Sequence, residues 1–326
     1  MSPARPVFSR KQSAPRDSHA QPGLREHSKT ARVLPFRNKK VVAPAAALSE
    51  QPLWLWPNLL SLDAPLIAVL WLHLLAVSGQ IRISPVISVA LGLAVWLIYV
   101  ADRLLDGLRP GASALSARHQ FYRAHRRTWF SVLLGALALA CCLCLELDAR
   151  TLLFGTLLML AVAGYFAAVH QMREKWRLHF PKEAVVAVVF GIGTFFPAWP
   201  NARGSNAAMA ITLGLFVAIC WLNIVLIEYA EWVSLRQRSS ETPHVSTLAA
   251  GQHLSQIGAT VSIVVFGLAQ LRTTEAQHPV LLTISLSALA LTGLGFCWHK
   301  FSNNMVRVLA DATLLTPAIA LMFLRR

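Results

Sequence analysis

Two acidic residues at the end of a long apolar run have a spacing that suits metal binding. Asp102 and Asp106 lie four positions apart, so on a helix their carboxylates project from the same face. Mg²⁺ prefers oxygen ligands and often completes its coordination shell with phosphate oxygens. The pair therefore predicts either a magnesium site or a solvated helix end, in which Arg103 and Arg109 balance the charge.

Three polar residues at the end of a later apolar run form a second candidate site. Glu228 and Glu231 lie three positions apart, and Asn223 lies deeper in the run. A polar group inside an apolar run is costly unless it has a partner. The glutamates could therefore join Asp102 and Asp106 as metal ligands, or they could be an ordinary pair at the membrane interface.

Basic residues near both acidic ends could hold an anionic substrate. Arg118 lies in an arginine- and histidine-rich loop after Asp106, and Lys182 immediately precedes another apolar run. One guanidinium group can bind two phosphate oxygens at once, whereas an ammonium group acts as a point charge. The alternative is that these residues are ordinary basic anchors at the membrane surface.

Other polar residues inside the apolar runs are interpreted as structural. Asp311 follows Arg307 by four positions, which predicts an ion pair within one helix. Asp63 lies close to the interface, and His73 is isolated in its run. The sequence has no glycine-rich phosphate loop, no Ser-His-Asp order and no HExxH motif.

The elements that carry these residues are predicted to be transmembrane helices. The chain is 55% hydrophobic and 14% charged, with a mean hydropathy of +0.52, which excludes an ordinary soluble protein. A bilayer core needs about 20 apolar residues per helix. We expect an all-α polytopic membrane protein with about nine transmembrane helices. The predicted spans are 58–79, 83–101, 128–146, 151–170, 184–200, 207–228, 255–272, 279–298 and 306–324.

The first 50 residues differ in composition from the rest. They contain ten Lys and Arg residues, three acidic residues and scattered prolines, which predicts a disordered basic tail at residues 1–50. An organelle transit peptide is the alternative. The tail has no interleaved aromatic residues, so nucleic acid is not an expected partner. Residues 55–326 form the predicted transmembrane helical domain.

The distribution of basic residues predicts the orientation. If the N-terminus is cytosolic, the cytosolic segments hold 24 of the 30 Lys and Arg residues and the outer loops hold 6. Basic residues accumulate on the cytosolic side of membrane proteins. Both acidic helix ends then emerge at the cytosolic face, in a membrane that we expect to be a bacterial inner membrane.

The motifs resemble those of the UbiA-type intramembrane prenyltransferases. Asp102, Asp106 and the Arg109-Pro110 pair match part of that family's first aspartate-rich motif. Asn223, Glu228 and Glu231 resemble its second motif, although glutamates replace aspartates at altered spacing. The matching stretches also include Phe180-Pro181-Lys182 and Pro243-His244-Val245-Ser246-Thr247-Leu248.

The resemblance implies a bundle of nine helices that binds an isoprenoid diphosphate through Mg²⁺ and transfers its prenyl group within the lipid bilayer. It implies catalysis by Asp102 and Asp106, which would bind the metal together with Glu228 and Glu231. The implied substrate-binding residues are Arg109, Arg118, Lys182 and Asn223.

One departure from the family pattern supports a second hypothesis. Leu97-Ile98 occupies the position of the leading Asn-Asp pair of the first motif, so one carboxylate ligand is missing. A non-catalytic UbiA-like protein that binds a lipid or a partner protein would tolerate this loss. The acceptor of the prenyl group is not identified by the sequence.

Overall fold

The structure, a computed structural model, describes residues 52–107, 117–171, 181–199, 206–235, 243–271 and 277–324. The predicted basic tail, residues 1–50, lies outside the described residues. Within the described part of the chain, all regular secondary structure is helical. This confirms the predicted all-α class.

The described residues form thirteen α-helices. In chain order they are α1 (Trp56–Leu59), α2 (Asp63–Ser78), α3 (Pro85–Gly107), α4 (Ala117–Ala124), α5 (Arg126–Cys144), α6 (Ala149–Gln171), α7 (Lys182–Phe195), α8 (Asn206–Leu235), α9 (Val245–Gln252), α10 (Leu254–Gln270), α11 (His278–Cys297), α12 (Asn303–Thr313) and α13 (Pro317–Leu324).

Six helices among the described residues are long and apolar enough to span a membrane. Two bent helix pairs raise the number to eight if each pair forms one span. The bent pairs are α1 with α2, at 79°, and α9 with α10, at 78°. The predicted span 184–200 corresponds to α7, which has 14 residues. At 1.5 Å per residue α7 is about 21 Å long, shorter than a bilayer core of about 30 Å. A multi-pass membrane protein is confirmed, with α7 as a short helix inside the bundle.

Aromatic side chains join three helices at the centre of the bundle. Trp71 of α2 contacts Phe216 of α8 with ring centroids 4.7 Å apart, and Phe195 of α7 stacks on the same ring at 5.2 Å. All three side chains are fully buried. The indole Nε1 of Trp71 donates a hydrogen bond to the carbonyl oxygen of Leu314 at 3.0 Å. This contact also fixes the end of α12 to the core.

Small residues allow α10 and α11 to pack closely. The hydroxyl of Ser262 donates to the carbonyl oxygen of Ser285, and the hydroxyl of Ser285 donates to the carbonyl oxygen of Ser262, both at 2.9 Å. A Cβ atom at Gly258 would lie 2.6 Å from Oγ1 of Thr292, so only glycine fits there. Small residues and interhelical hydroxyl bonds are typical of helix packing within membranes.

The short helix α9 packs against the acidic end of α8. His244 caps α9, because its Nδ1 accepts a hydrogen bond from the backbone N–H of Ser246 at 3.2 Å. A Cβ atom at Gly251 would lie 2.3 Å from Cδ2 of Tyr229, which lies between Glu228 and Glu231. The C-terminal turn of α9 therefore lies beside the second acidic end.

Candidate functional site

A buried arginine positions the first acidic end. Arg103 lies between Asp102 and Asp106 in sequence and is only 2% exposed. Its Nη1 donates to the carbonyl oxygen of Asn58 at 2.7 Å and also to the hydroxyl of Ser61. The guanidinium lies 5.8 Å from the ring centroid of Tyr122 in α4. Arg103 therefore ties the end of α3 to the α1–α2 turn and to α4.

Asn58 links two further carboxylates to this cluster. Its Nδ2 donates to Oδ2 of Asp63 at 2.5 Å and to Oδ2 of Asp311 at 3.3 Å. These two aspartates come from α2 and α12, which are far apart in sequence. From the sequence alone, both residues are interpreted as structural and lie outside the candidate site.

Each glutamate at the second acidic end has a cationic partner. Lys182, the first residue of α7, places its Nζ 3.3 Å from Oε2 of Glu228. Arg307 of α12 donates through Nη2 to Oε1 of Glu231. The predicted partner of Arg307 was Asp311, one turn along the same helix. The structure shows a contact across helices, to Glu231, which the spacing could not indicate.

The two acidic ends meet in one cavity of about 650 Å³. Its polar lining includes every predicted site residue whose side chain is described, together with several that the sequence analysis did not assign to the site. These residues are Asp63, Tyr99, Asp102, Arg103, Asp106, Tyr165, Lys182, Glu183, Asn223, Glu228, Glu231, Arg307 and Asp311. The structure thus brings both motifs to one place.

Two predicted substrate-binding residues are not placed by the structure. Arg109 lies outside the described residues, and for Arg118 the structure describes its position in α4 but not its side chain. Four further charged residues of the cavity are not predicted from the sequence as site residues: Asp63, Glu183, Arg307 and Asp311. Their position within or beside apolar runs could have indicated them, because a charged residue inside a membrane is energetically unfavourable and therefore often functional.

The described lining of the cavity carries an excess of negative charge. Seven carboxylates face three cationic side chains, so four formal negative charges are not balanced by lining residues. An isoprenoid diphosphate is itself an anion, and this surface would repel it. Divalent cations would reverse that repulsion, because a bound metal is often the largest local charge in such a site.

The donor atoms of the cavity suit Mg²⁺. Among the described residues, no group of three or more His, Cys, Asp or Glu side chains is arranged to hold a metal ion by itself. Mg²⁺, however, is commonly held by one or two carboxylates, with waters and substrate phosphates as further ligands. Asp102 and Asp106 supply two such carboxylates, and Glu228 and Glu231 each contact a cationic side chain.

The remainder of the cavity is apolar. Its walls include Leu91 and Val95 of α3, Leu158 of α6 and Phe190 of α7. Phe154 of α6 also lines it and stacks against Phe196. A cavity with charged groups at one end and hydrocarbon walls elsewhere matches an amphiphilic ligand.

The fold is similar to a solved structure described as the apo structure of a UbiA homologue from Aeropyrum pernix K1. The two chains are 13% identical, with a TM-score of 0.52, and the match covers 80% of this chain and 98% of the other. Neither the models of known protein families nor the sequences of curated proteins match the chain. The protein therefore has a UbiA-type fold, as its motifs predicted, and this similarity concerns the fold alone.

Proposed function

We propose that this protein transfers a prenyl group from an isoprenoid diphosphate to an acceptor within the membrane, in a reaction that depends on Mg²⁺. One observation carries the proposal: a single cavity joins the carboxylates of both motifs to an apolar chamber. A prenyl diphosphate has the matching shape, a charged head on a hydrocarbon chain. The UbiA-type fold supports the same conclusion.

The residues of the cavity divide into three roles. Asp102 and Asp106 would hold Mg²⁺, which when bound supplies positive charge that stabilises the diphosphate as a leaving group. Lys182 would add positive charge beside the head group, and we assign the same role to Arg109 and Arg118. The apolar walls exclude water, so that the allylic cation left after C–O cleavage is captured by the acceptor.

Binding of farnesyl diphosphate to the detergent-purified protein tests this proposal. We expect binding in the presence of Mg²⁺ and little binding when the metal is chelated, because the described lining of the cavity has seven carboxylates and three cationic side chains and would repel the diphosphate. Farnesol with Mg²⁺ is the control for binding through the hydrocarbon chain alone. Binding that is absent, or equal with and without the metal, would contradict the proposal.

The ion pairs at the second acidic end favour a second candidate, a non-catalytic UbiA-like protein that binds a lipid or a partner protein. Lys182 and Arg307 already neutralise Glu228 and Glu231, so this half of the cavity does not need a metal for charge balance. Such a protein would bind farnesol and farnesyl diphosphate alike, and independently of Mg²⁺.

We also propose that the acidic end of the bundle faces the cytosol of a bacterial cell, in its inner membrane. The positive-inside distribution supports this orientation, with 24 of 30 basic residues on that side. Gln80 and Lys300 are both exposed. Gln80 lies in a turn after α2, and Lys300 ends a short 3₁₀ helix after α11.

Cysteine labelling of intact cells tests the orientation. In a background without the five native cysteines, Gln80→Cys should react with a membrane-impermeant maleimide, whereas Lys300→Cys should react only after the cells are permeabilised. The reverse pattern would contradict the assigned orientation.

A further inference from the structure

Three exposed arginines cluster where α4 ends and α5 begins. Arg123 lies in the last turn of α4, and Arg126 and Arg127 are the first two residues of α5. The first turn of α5 contains no acidic residue. In the described part of the chain, no acidic side chain forms an ion pair with any of the three. These residues form an arginine ridge at the end of a helix that is long and apolar enough to span a membrane.

Buried aromatic side chains hold the arginine ridge in place. Phe121 and Tyr122 of α4 and Trp129 of α5 are buried on the opposite side of the junction. The ring centroid of Trp129 lies 4.6 Å from that of Tyr122 and 5.9 Å from that of Phe121. The hydroxyl groups of Tyr122 and Ser61 are hydrogen-bonded at 2.9 Å. The ridge therefore stands on a fixed support, which lowers the cost of ordering it around a ligand.

An exposed apolar stripe continues from the ridge along α5. Phe130 is 55% exposed and Leu134 is 51% exposed. They follow Arg126 at intervals of four residues, so all three side chains lie on one face of the helix. Among the side chains of α5, all of which the structure describes, only Trp129 is buried. At 1.5 Å per residue the stripe extends about 12 Å from Arg126 to Leu134. Positive charge and an apolar surface are thus adjacent on one helix face.

We propose that the arginine ridge and this stripe bind an anionic phospholipid of the surrounding membrane. The guanidinium groups contact the phosphate of the head group, whose oxygens match their geometry. An acyl chain of the lipid packs along Phe130 and Leu134. No residue of the ridge or the stripe lines the cavity, so the inference is independent of the proposed prenyl transfer.

The charge of the ridge selects one class of lipid. A zwitterionic phospholipid carries a cationic group next to its phosphate, and a cluster of arginines repels that group. Phosphatidylglycerol carries the same phosphate next to a neutral glycerol. The apolar stripe favours a lipid over a soluble phosphate ester, because only a lipid removes the stripe from contact with other hydrocarbon and the ridge from solvent together. Phosphatidylglycerol is therefore the probe that fits this surface.

Native mass spectrometry of the full chain in a neutral detergent tests the inference. It compares binding of phosphatidylglycerol and phosphatidylcholine that have the same acyl chains. We expect at least about tenfold tighter binding of phosphatidylglycerol, since each basic residue near an anionic membrane surface strengthens attraction roughly fivefold. The preference should fall as the salt concentration rises, because exposed charges are screened. Equal affinities for the two lipids would overturn the inference.

Substitution of the ridge should remove this preference. The triple variant Arg123→Gln/Arg126→Gln/Arg127→Gln should bind both lipids alike. The matched control is Arg82→Gln/Arg150→Gln, which replaces two exposed arginines, one before α3 and one in the first turn of α6. These arginines lie at the other ends of α3 and α5 from the ridge, so the control should keep the wild-type preference. A control variant that loses the preference equally would show that net charge alone selects the lipid, which contradicts the inference.

A soluble competitor distinguishes a lipid from a free phosphate ester as the occupant. Glycerol 3-phosphate carries a phosphate but has no acyl chain. In large excess it should leave phosphatidylglycerol bound, because it makes no contact with the apolar stripe. Displacement of the lipid would assign the ridge to soluble phosphate esters and would show that the proposed occupant is wrong.

Thermal unfolding shows whether the triple variant is folded. In neutral detergent without anionic lipid it should unfold at the wild-type temperature, since exposed side chains without partners contribute little to stability. If it unfolds at a lower temperature, the single variants Arg126→Gln and Arg127→Gln replace it in the binding experiment. Each should bind phosphatidylglycerol roughly fivefold more weakly than wild type. Single variants that bind it as tightly as wild type would overturn the inference.

Discussion

Replacing Asp102 and Asp106 together by asparagine is expected to abolish Mg²⁺-dependent binding and turnover of farnesyl diphosphate. Asparagine keeps the size of each side chain but removes the two charges that would hold the metal. Because metal-ion stabilisation of a leaving group is worth several kcal/mol, we expect a loss of at least about a hundredfold. Titration of binding and turnover against Mg²⁺ concentration measures this effect.

The matched control for the double variant is Asp148→Asn. Asp148 is exposed between α5 and α6, outside the cavity, and accepts a hydrogen bond from the backbone N–H of Thr151 at 3.0 Å. Its bonds to the hydroxyl and backbone N–H of Thr151 lower the pKa of the carboxyl group, which is therefore ionised at neutral pH. Asparagine caps a helix about as well as aspartate. Metal-dependent binding that survives in the Asp102 and Asp106 variant would contradict the assigned metal site.

Arg103→Met is expected to cause a large loss of stability. The substitution removes two buried hydrogen bonds from a charged donor, to the carbonyl oxygen of Asn58 and to the hydroxyl of Ser61. These acceptors keep one other partner each, the backbone N–H of Ser61 and the hydroxyl of Tyr122. A hydrogen bond to a charged group contributes about 1.5–3 kcal/mol, so we expect a total loss of about 3 kcal/mol or more. Thermal unfolding in detergent, followed by circular dichroism, measures the change.

Two further variants define the cause of that loss. Arg123→Met is the control, because Arg123 is an exposed arginine of α4, and its replacement should leave the unfolding temperature unchanged. Arg103→Lys should fall between Arg103→Met and wild type, since an ammonium lacks the planar pair of donors. An unfolding temperature of Arg103→Met equal to that of wild type would show that the α1–α3 contact does not stabilise the bundle.

The geometry around Arg103 also explains how the first motif is held in place. Arg103 lies between Asp102 and Asp106 in sequence, and its side chain enters the α1–α2 turn. Ser61 in that turn has a positive φ of 58°. A positive φ is uncommon for a residue other than glycine and persists where surrounding contacts maintain it. Loss of Arg103 should therefore also reorient the end of α3 and weaken metal binding.

The sequence alone determined the class of the protein and the location of its two acidic ends. Long apolar runs must form helices in a bilayer, because no water is available to satisfy the backbone groups. The spacing of Asp102 and Asp106, and of Glu228 and Glu231, then defined the helix faces. The motifs also predicted the UbiA-type fold that the structural comparison shows.

Only the tertiary structure decided which charges meet. Arg307 contacts Glu231 across helices, Asp63 and Asp311 share the amide of Asn58, and α7 is too short to be an ordinary span. These outcomes depend on how each helix is rotated and where it crosses its neighbours. Helix packing in a membrane depends on close contacts of small and polar residues, which hydropathy and local spacing do not encode. For the same reason, the burial of Glu183 beside Lys182 became visible only in the folded bundle.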